Sequence, residues 1–394
     1  MSLSRLARIG AFRTPPRSIA LPVFQKTAFY ATRRTTRDNA QRPFHIPPLP
    51  VALIGASFIC LGIGLYEYLN SDIQKFPNAV RQALRKALYY EHTKDSTLAL
   101  KYFNEALDLG LQSPELEPNG APLTGIMIQL GALQETVGKL PEARQTLRLA
   151  LRHLVGLQNS TVDVTSFDLN QLSNTEQKKA VGIAQKLGDI AAAMKNDEEA
   201  EKWYVWSVEH VLKSSSKAKS QYGDSDDVVF DKEHMPAWLT ETDIGASLEA
   251  LGAFYSSRKK PELAIHLYLK ALELNGLQSC QSAILMNNLA ESYSSMGQFE
   301  EAKVWGQRGL DLAQNPNTGK NNGDKELCDE TCGVLLFNMG MLFEQTKDKA
   351  KASQFYTSAR QHGRDYKHAS CIKEADRALK RLEFEKVRDE NSIM

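Results

Sequence analysis

Six polar side chains occupy equivalent or neighbouring positions on a series of predicted helices. Each lies two or three residues before a small residue of its helix. They are Arg85, Gln129, Lys186, Asn287, Asn288 and Asn338. Amide side chains can hold an extended peptide backbone through paired donor and acceptor bonds, and Arg or Lys can bind an acidic group or a terminal carboxylate. The pattern predicts a polypeptide-binding groove; a solvated groove without a ligand is the alternative interpretation.

The sequence carries no arrangement typical of an enzyme or a metal centre. GxSxG, HExxH, Walker and dinucleotide-binding motifs are absent, and no two histidines lie at i and i+4 around a carboxylate. Five cysteines are too few and too scattered to predict a disulfide framework. Cys328 and Cys332 resemble half of a twin-cysteine motif whose second half is missing, so we predict helix-facing thiols. We expect no catalytic residues, no bound metal and no cofactor.

Composition describes a mostly globular chain whose charges are segregated. Of 394 residues, 42% are hydrophobic and 24% charged, which excludes a wholly disordered or multi-span membrane protein. Residues 1–48 contain nine basic side chains and one acidic side chain, a net charge of +8. The remaining residues contain 39 basic and 46 acidic side chains, a net charge of −7. The body of the chain is therefore not expected to bind nucleic acid through its charge.

The basic segment 1–48 has the composition of a mitochondrial transit peptide. Its arginines are spaced among Ser, Thr, Ala and apolar residues with almost no acid. Small residues after Phe29 and Tyr30 place processing near Tyr30. A disordered basic tail that binds anionic lipid or nucleic acid is the alternative.

An apolar segment, 49–69, follows the basic head and is long enough to cross a bilayer. A span needs about 20 residues, and no Asp, Glu, Lys or Arg occurs between Pro43 and Tyr66. A secretory signal peptide is the rival interpretation, but its charged region would not extend over 48 residues. Basic residues before the span predict an N-terminus in the mitochondrial matrix and a body in the intermembrane space.

Small side chains recur every fourth residue within this predicted transmembrane helix. They are Ala52, Ala56, Cys60 and Gly64. Such a ridge allows a second transmembrane helix to approach closely, although a plain anchor with one smooth face gives the same pattern.

A repeat occupies the rest of the chain, from about residue 76 to 367. Its best copy resembles the tetratricopeptide repeat (TPR) at each signature position: Leu248-x2-Leu251-Gly252-x2-Tyr255-x8-Ala264-x3-Tyr268-x2-Ala271. Six copies share this frame; a single copy would indicate only an ordinary helical hairpin. Their second helices each carry one alanine at the same position, namely Ala99, Ala143, Ala200, Ala264, Ala302 and Ala352.

The repeat frame predicts an all-α TPR superhelical solenoid of about six helix-turn-helix repeats behind the transmembrane helix. Small residues let the two helices of a repeat cross closely, so the six alanines are predicted packing residues. Insertions fall between repeats, at 113–120, 214–233 and 315–325, either as surface decoration or as a partner site. A terminal segment, 368–394, is predicted to form a capping helix and tail.

A transit peptide, one span and a TPR solenoid together resemble the fungal TPR adaptor subunits of the mitochondrial inner-membrane i-AAA protease. The resemblance implies a non-enzymatic subunit that binds unfolded or misfolded protein segments and presents them to the protease complex and its other adaptors. A TPR scaffold for assembly of a respiratory-chain or translocase complex is the alternative. Ile284 and Val334 stand where a chaperone-binding carboxylate clamp needs Lys or Arg, so a chaperone co-receptor is disfavoured.

Overall fold

A computed structural model describes residues 72–216, 235–315, 317–318 and 325–393. These residues form thirteen α-helices and a few 3-10 turns, with no strand among them. The helices, in chain order, are α1 (Asn78–His92), α2 (Ser96–Gln112), α3 (Ala121–Thr136), α4 (Leu140–Leu154), α5 (Asn174–Ala193), α6 (Asp197–Ser216), α7 (Glu241–Ser257), α8 (Pro261–Asn275), α9 (Cys280–Ser295), α10 (Phe299–Gln314), α11 (Lys325–Gln345), α12 (Lys349–Asp365) and α13 (Ala369–Ile393).

Helices α1 to α12 form six successive hairpins. The odd-numbered helix of each hairpin, called the A helix below, packs on the even-numbered B helix that follows it, and each B helix packs on the next A helix. Several A helices also contact the A helix of the next hairpin, as α9 contacts α11. The predicted all-α repeat array is therefore confirmed for the described residues. Helix α13 follows in the position of a seventh A helix and packs on α12 and α11.

Small residues allow the two helices of a hairpin to cross closely. All six alanines of the B helices are 0% exposed, which confirms their predicted packing role. On the A helices, a Cβ atom added at Gly131 would lie 2.7 Å from Leu147, and one added at Gly252 would lie 2.7 Å from the Tyr268 ring. Contacts this short leave room only for hydrogen at these two positions.

The turn between the two helices of each hairpin contains one residue in the left-handed conformation. The six residues, with φ between 58° and 81°, are Lys94, Gly138, Lys195, Lys259, Gly297 and Lys347. Four of the six are lysines, although this conformation costs an ordinary L-residue about 1 kcal/mol or more relative to glycine. The second helix has a proline in its first turn at α4 and α8.

Replacing Lys259 with glycine is expected to stabilise the protein by about 0.5–1 kcal/mol. Glycine adopts the φ of 58° at this turn without a Cβ clash, which outweighs its larger entropy in the unfolded chain. The free energy of unfolding in urea measures the change. Lys373, exposed inside helix α13, is the matched control, because Lys373→Gly is expected to cost about 1 kcal/mol. A destabilised Lys259→Gly variant would contradict this account of the turn.

Insertions between hairpins lie on the connections from a B helix to the next A helix. The predicted insertion at 113–120 joins α2 to α3. A further connection, from α4 to α5, contains 3-10 turns at Val164–Ser166 and Leu169–Gln171. The predicted insertion at 214–233 begins later than expected, because α6 continues to Ser216. Residues 217–234 lie outside the described residues, as does most of the connection between α10 and α11.

The predicted transit peptide and transmembrane segment lie outside the described residues. This includes the ridge of Ala52, Ala56, Cys60 and Gly64. Among the thirteen described helices, none combines the length and the apolar character that a bilayer span requires.

Candidate functional site

The A helices of neighbouring hairpins meet along one side of the array, called the inner face here. Contacts join α5 to α7, α7 to α9, α9 to α11, and α11 to α13. Polar side chains form hydrogen bonds across the first three of these junctions. We call this set the inter-repeat ladder; it consists of Gln185, Ser247, Glu249, Gln281, Asn287, Asn288 and Asn338.

The ladder begins between α5, α7 and α9. Gln185 donates from Nε2 to Oγ of Ser247 over 2.7 Å. Glu249, the next polar residue of α7, accepts hydrogen bonds from two amides of α9. Nδ2 of Asn288 donates over 3.4 Å, and Nε2 of Gln281 donates to the other carboxylate oxygen. Glu249 therefore joins α7 to α9 at two points.

Two of the predicted groove asparagines bind each other between α9 and α11. Nδ2 of Asn338 donates to Oδ1 of Asn287 over 2.8 Å, and Asn287 is only 8% exposed. Near the ends of the same helices, Ser294 donates to Oε1 of Gln345 over 2.9 Å. The sequence pattern correctly placed Asn287 and Asn338 on adjacent A helices. One hydrogen bond between their amides connects the two repeats, and Oδ1 of Asn338 is buried without a hydrogen-bond partner.

The other predicted groove residues lie nearer the N-terminal end of the array. Arg85 and Gln129 are exposed on α1 and α3. Nζ of Lys186 on α5 lies 3.3 Å from Glu135 on α3 and 3.7 Å from Asp189, and its side chain is 47% exposed. Exposed ion pairs of this kind contribute little to stability, so Lys186 can exchange its carboxylate partners for an acidic group of a ligand.

Apolar and small side chains lie beside the ladder on the A helices. Ile284, Val334 and Met341 are partly buried on α9 and α11, and Ala253 is partly buried on α7. Ala246, near the start of α7, is exposed. This surface combines a little apolar area with amides and a carboxylate, which suits an extended peptide with mixed side chains. In the sequence, Ile284 and Val334 were noted only because they stand where a carboxylate clamp needs Lys or Arg.

Carboxyl groups with perturbed pKa values lie on the same face. Burial raises the pKa of Glu249 to about 7, although the hydrogen bonds from Gln281 and Asn288 act in the opposite direction. Glu291, on α9, is more exposed, and partial burial raises its pKa as well. The inner face at α7 and α9 therefore carries a carboxyl group that changes its charge near neutral pH.

A second polar junction ties α13 to the sixth hairpin. Nε and Nη2 of Arg381 donate to Glu344 of α11, over 2.9 and 2.7 Å, and the Tyr356 hydroxyl donates to the same carboxylate over 2.6 Å. Burial by itself would raise the pKa of Glu344, but the bonds from Arg381 and Tyr356 lower it below its usual value. The last helix is therefore held by a bidentate ion pair as well as by apolar packing.

The cysteines contradict one sequence-based expectation. Cys280 at the start of α9 and Cys328 in the first turn of α11 form a disulfide, with their Cα atoms 5.1 Å apart. The prediction of a helix-facing thiol at Cys328 was wrong; its partner lies 48 residues away, and only the packing of successive A helices brings the two together. Cys332 and Cys371 are free thiols. Within the described ranges, no group of three or more His, Cys, Asp or Glu residues is arranged to hold a metal ion.

The match to a repeat family agrees with this geometry. Residues 243–315, which contain helices α7 to α10, match the family model described as Tetratricopeptide repeat. The matched residues include the best sequence copy, and the same small-to-large packing recurs in the other described hairpins. Helices α7 to α10 are therefore similar to TPR units, and the other described hairpins share their helix-pair arrangement.

Two relatives of this chain carry the name Tetratricopeptide repeat protein 19, mitochondrial. The human protein is 28% identical over 146 residues, which cover 36% of this chain and 37% of that protein. The rat protein is 27% identical over 292 residues, which cover 73% of this chain and 72% of that protein. Only about a third of the human protein's length is thus matched.

Solved structures with a similar arrangement of helices include two bacterial proteins. BtubC from P. vanneervenii has a TM-score of 0.45 and 16% identity, covering 76% of this chain and 94% of that chain. The Pseudomonas aeruginosa protein pilF has a TM-score of 0.39 and 14% identity, covering 75% of this chain and 96% of that chain.

Proposed function

We propose that this chain is a non-enzymatic adaptor of the mitochondrial inner membrane that binds unfolded or misfolded protein segments on the inner face of its TPR solenoid. It delivers them to an ATP-dependent protease of the i-AAA class. The observation that carries the proposal is the inner face of α7, α9 and α11, where amides, a carboxyl group and partly buried apolar side chains lie together. An unfolded segment presents matching groups, namely backbone amides and mixed side chains.

The mitochondrial location is supported by two independent features of the chain. Both named relatives carry the word mitochondrial in their names, and the rat protein is matched over most of its length. The basic segment 1–48 has the composition of a transit peptide. Anchoring by segment 49–69 would hold the solenoid beside a membrane protease, which raises the effective concentration of each for the other.

A second candidate is a scaffold for assembly of a respiratory-chain or translocase complex. It is favoured by the hydrogen bond between Asn287 and Asn338, because the two groups that form it are not available to a peptide. Polar groups that are held in place by a neighbouring helix suit one folded partner of fixed shape.

Replacing Ile284 and Val334 together with serine is expected to reduce the recovery of unfolded clients about tenfold. The two apolar side chains lie on adjacent A helices beside the ladder, so their loss removes apolar area from the proposed groove. The tagged full-length chain is purified from mild-detergent mitochondria, and co-purifying proteins are quantified by mass spectrometry. Under this proposal, the wild type recovers an AAA protease together with many clients.

The matched control carries the same kind of change on the B helices. Leu263 on α8 and Val304 on α10 are 46% and 50% exposed, and Leu263→Ser with Val304→Ser is expected to leave client recovery unchanged. Thermal unfolding of both variants separates lost binding from lost folding. Recovery of respiratory-chain or translocase subunits without a protease would reject the adaptor and support the scaffold. Equal loss of clients in both variants would reject the inner face as the binding site.

A further inference from the structure

Three links join helices α9 and α11, and one of them is covalent. The Cys280–Cys328 disulfide lies at the start of both helices, the Asn287–Asn338 hydrogen bond near their middle, and the Ser294–Gln345 hydrogen bond near their ends. The partners are separated by 48, 51 and 51 residues along the sequence. The disulfide is offset by three residues from the register of the two hydrogen bonds, and it joins the first turns of the two A helices covalently.

We infer that Cys280 and Cys328 are a site of oxidation by a thiol–disulfide oxidoreductase, and that the solenoid therefore folds in an oxidising compartment. Two observations carry the inference: the Cα atoms are 5.1 Å apart, within the range of an unstrained bridge, and the pair is enclosed by protein. Reduced cytosolic and matrix-like conditions keep such thiols unpaired.

The oxidation is a disulfide exchange whose atoms balance. A thiolate of the pair attacks the disulfide of the oxidoreductase, giving a mixed disulfide and one reduced thiol on the oxidoreductase. The second cysteine then attacks the sulfur of the first and releases the other thiol of the oxidoreductase. The chain loses two electrons and two protons, which the oxidoreductase gains as its dithiol form.

Burial dictates when the exchange happens. Cys280 is 1% exposed and Cys328 is 4% exposed, so an oxidoreductase cannot reach either sulfur once α9 and α11 have docked. The exchange must therefore happen before α11 docks against α9. Once formed, the disulfide is shielded from reductants for the same reason.

The other two cysteines of the described residues are poorly placed to attack the disulfide once the array has folded. Cys332 lies one turn after Cys328, and burial raises its pKa to about 11. Burial also raises the pKa of Cys371, at the start of α13, whose Sγ lies 3.2 Å from the carbonyl oxygen of Ala359. In the folded chain both groups stay protonated at neutral pH, and a thiol attacks a disulfide far more slowly than a thiolate, so the pairing does not rearrange.

Cysteine mass-tagging in mitochondria tests the pairing. The full-length chain is precipitated with acid, its free thiols are blocked with N-ethylmaleimide under denaturing conditions, and the oxidised thiols are then reduced and tagged with maleimide-polyethylene glycol. We expect two tags on the wild type and on Cys332→Ser, and none on Cys280→Ser or Cys328→Ser. No tag on the wild type, or two tags that persist in Cys280→Ser, would overturn the inference.

Refolding of the purified chain tests the role of the oxidoreductase and of burial. The reduced, urea-unfolded full-length chain is refolded in detergent with a purified CxxC oxidoreductase in its oxidised form, or with oxidised glutathione alone. Support requires re-formation at least tenfold faster with the oxidoreductase, and reduction by dithiothreitol at least tenfold slower in the folded chain than in urea. Equal rates of re-formation with and without the oxidoreductase would reject its role. Equal rates of reduction in the folded chain and in urea would reject the shielding by burial.

A stability measurement tests the disulfide independently of the proposed function. Cys280→Ser is expected to lower the Tm by about 5 °C or more, while Cys332→Ser changes it less, because only the first removes a cross-link. An oxidised pair in a chain that recovers no protease would reject the adaptor and leave this site standing. A reduced pair in a chain that recovers protease and clients would reject the inferred oxidation site and leave the adaptor proposal standing.

Discussion

Glu249→Gln is expected to stabilise the protein by about 1–3 kcal/mol at pH 8 and to have little effect at pH 5. The pKa of Glu249 is about 7 in the folded protein, compared with 4.5 for an unperturbed glutamate. Between these values the folded chain binds more protons than the unfolded chain, so stability falls as the pH rises through this range. The amide stays neutral at every pH, so it avoids the cost of a buried charge. Its single oxygen keeps one of the two hydrogen bonds from Asn288 and Gln281, and the loss of the other is the same at every pH.

Urea unfolding of wild type and Glu249→Gln at pH 5, 6, 7 and 8 measures this difference. Other groups titrate over the same range, so the quantity of interest is the gap between the two proteins at each pH. Glu301, exposed on the B helix α10, provides the control, and Glu301→Gln is expected to follow the wild type at every pH. A gap that stays constant from pH 5 to pH 8 would show that Glu249 is already ionised at pH 5.

The repeat array could be predicted from the sequence because its packing depends on residue size at fixed spacing. Ala264 and Gly252 are small for a steric reason, and Tyr268 fills the space that Gly252 leaves. Such constraints recur in each hairpin and do not depend on how the hairpins are stacked. The helix pairs and the places of the insertions followed from the same frame.

Features that depend on stacking between repeats could be predicted only in part. The spacing placed Asn287 and Asn338 on one face, but their mutual hydrogen bond requires the register of α9 against α11. The Cys280–Cys328 pair needs the same register, and it was missed because cysteine spacing in the sequence shows no pairing. Nothing in the sequence marks Glu249 as a buried member of the ladder, so the rise in its pKa could not be predicted.

Local backbone strain was also hidden from the sequence. Lysine gives no signal for a left-handed turn, yet Lys94, Lys195, Lys259 and Lys347 all adopt this conformation. The hydrogen bonds of the turn explain why the strain is tolerated. The backbone amide of Lys260 donates to the carbonyl of Tyr255 over 3.0 Å, closing the end of α7 in the way a glycine-containing turn would.

Two glycines of helix α3 provide the sharpest test of the packing account, because the same substitution should act in opposite directions. A Cβ added at Gly131 would lie 2.7 Å from Cδ2 and 2.8 Å from Cγ of Leu147, a side chain that is 3% exposed. At Gly125, six residues earlier, no atom of the described residues other than the neighbouring backbone of α3 lies within 4 Å of an added Cβ. Both positions gain helix propensity from alanine, by up to about 1 kcal/mol.

Gly131→Ala is therefore expected to destabilise the protein by about 1–2 kcal/mol, and Gly125→Ala to stabilise it by up to about 1 kcal/mol. The gap of about 2–3 kcal/mol arises because only Gly131 lies where α3 crosses α4, so that its methyl group must push Leu147 out of its packed rotamer. Urea unfolding of the two variants beside the wild type measures it. Equal stabilisation of both would mean that Leu147 moves aside freely, and that the small residue at this place in each repeat is not required for helix crossing.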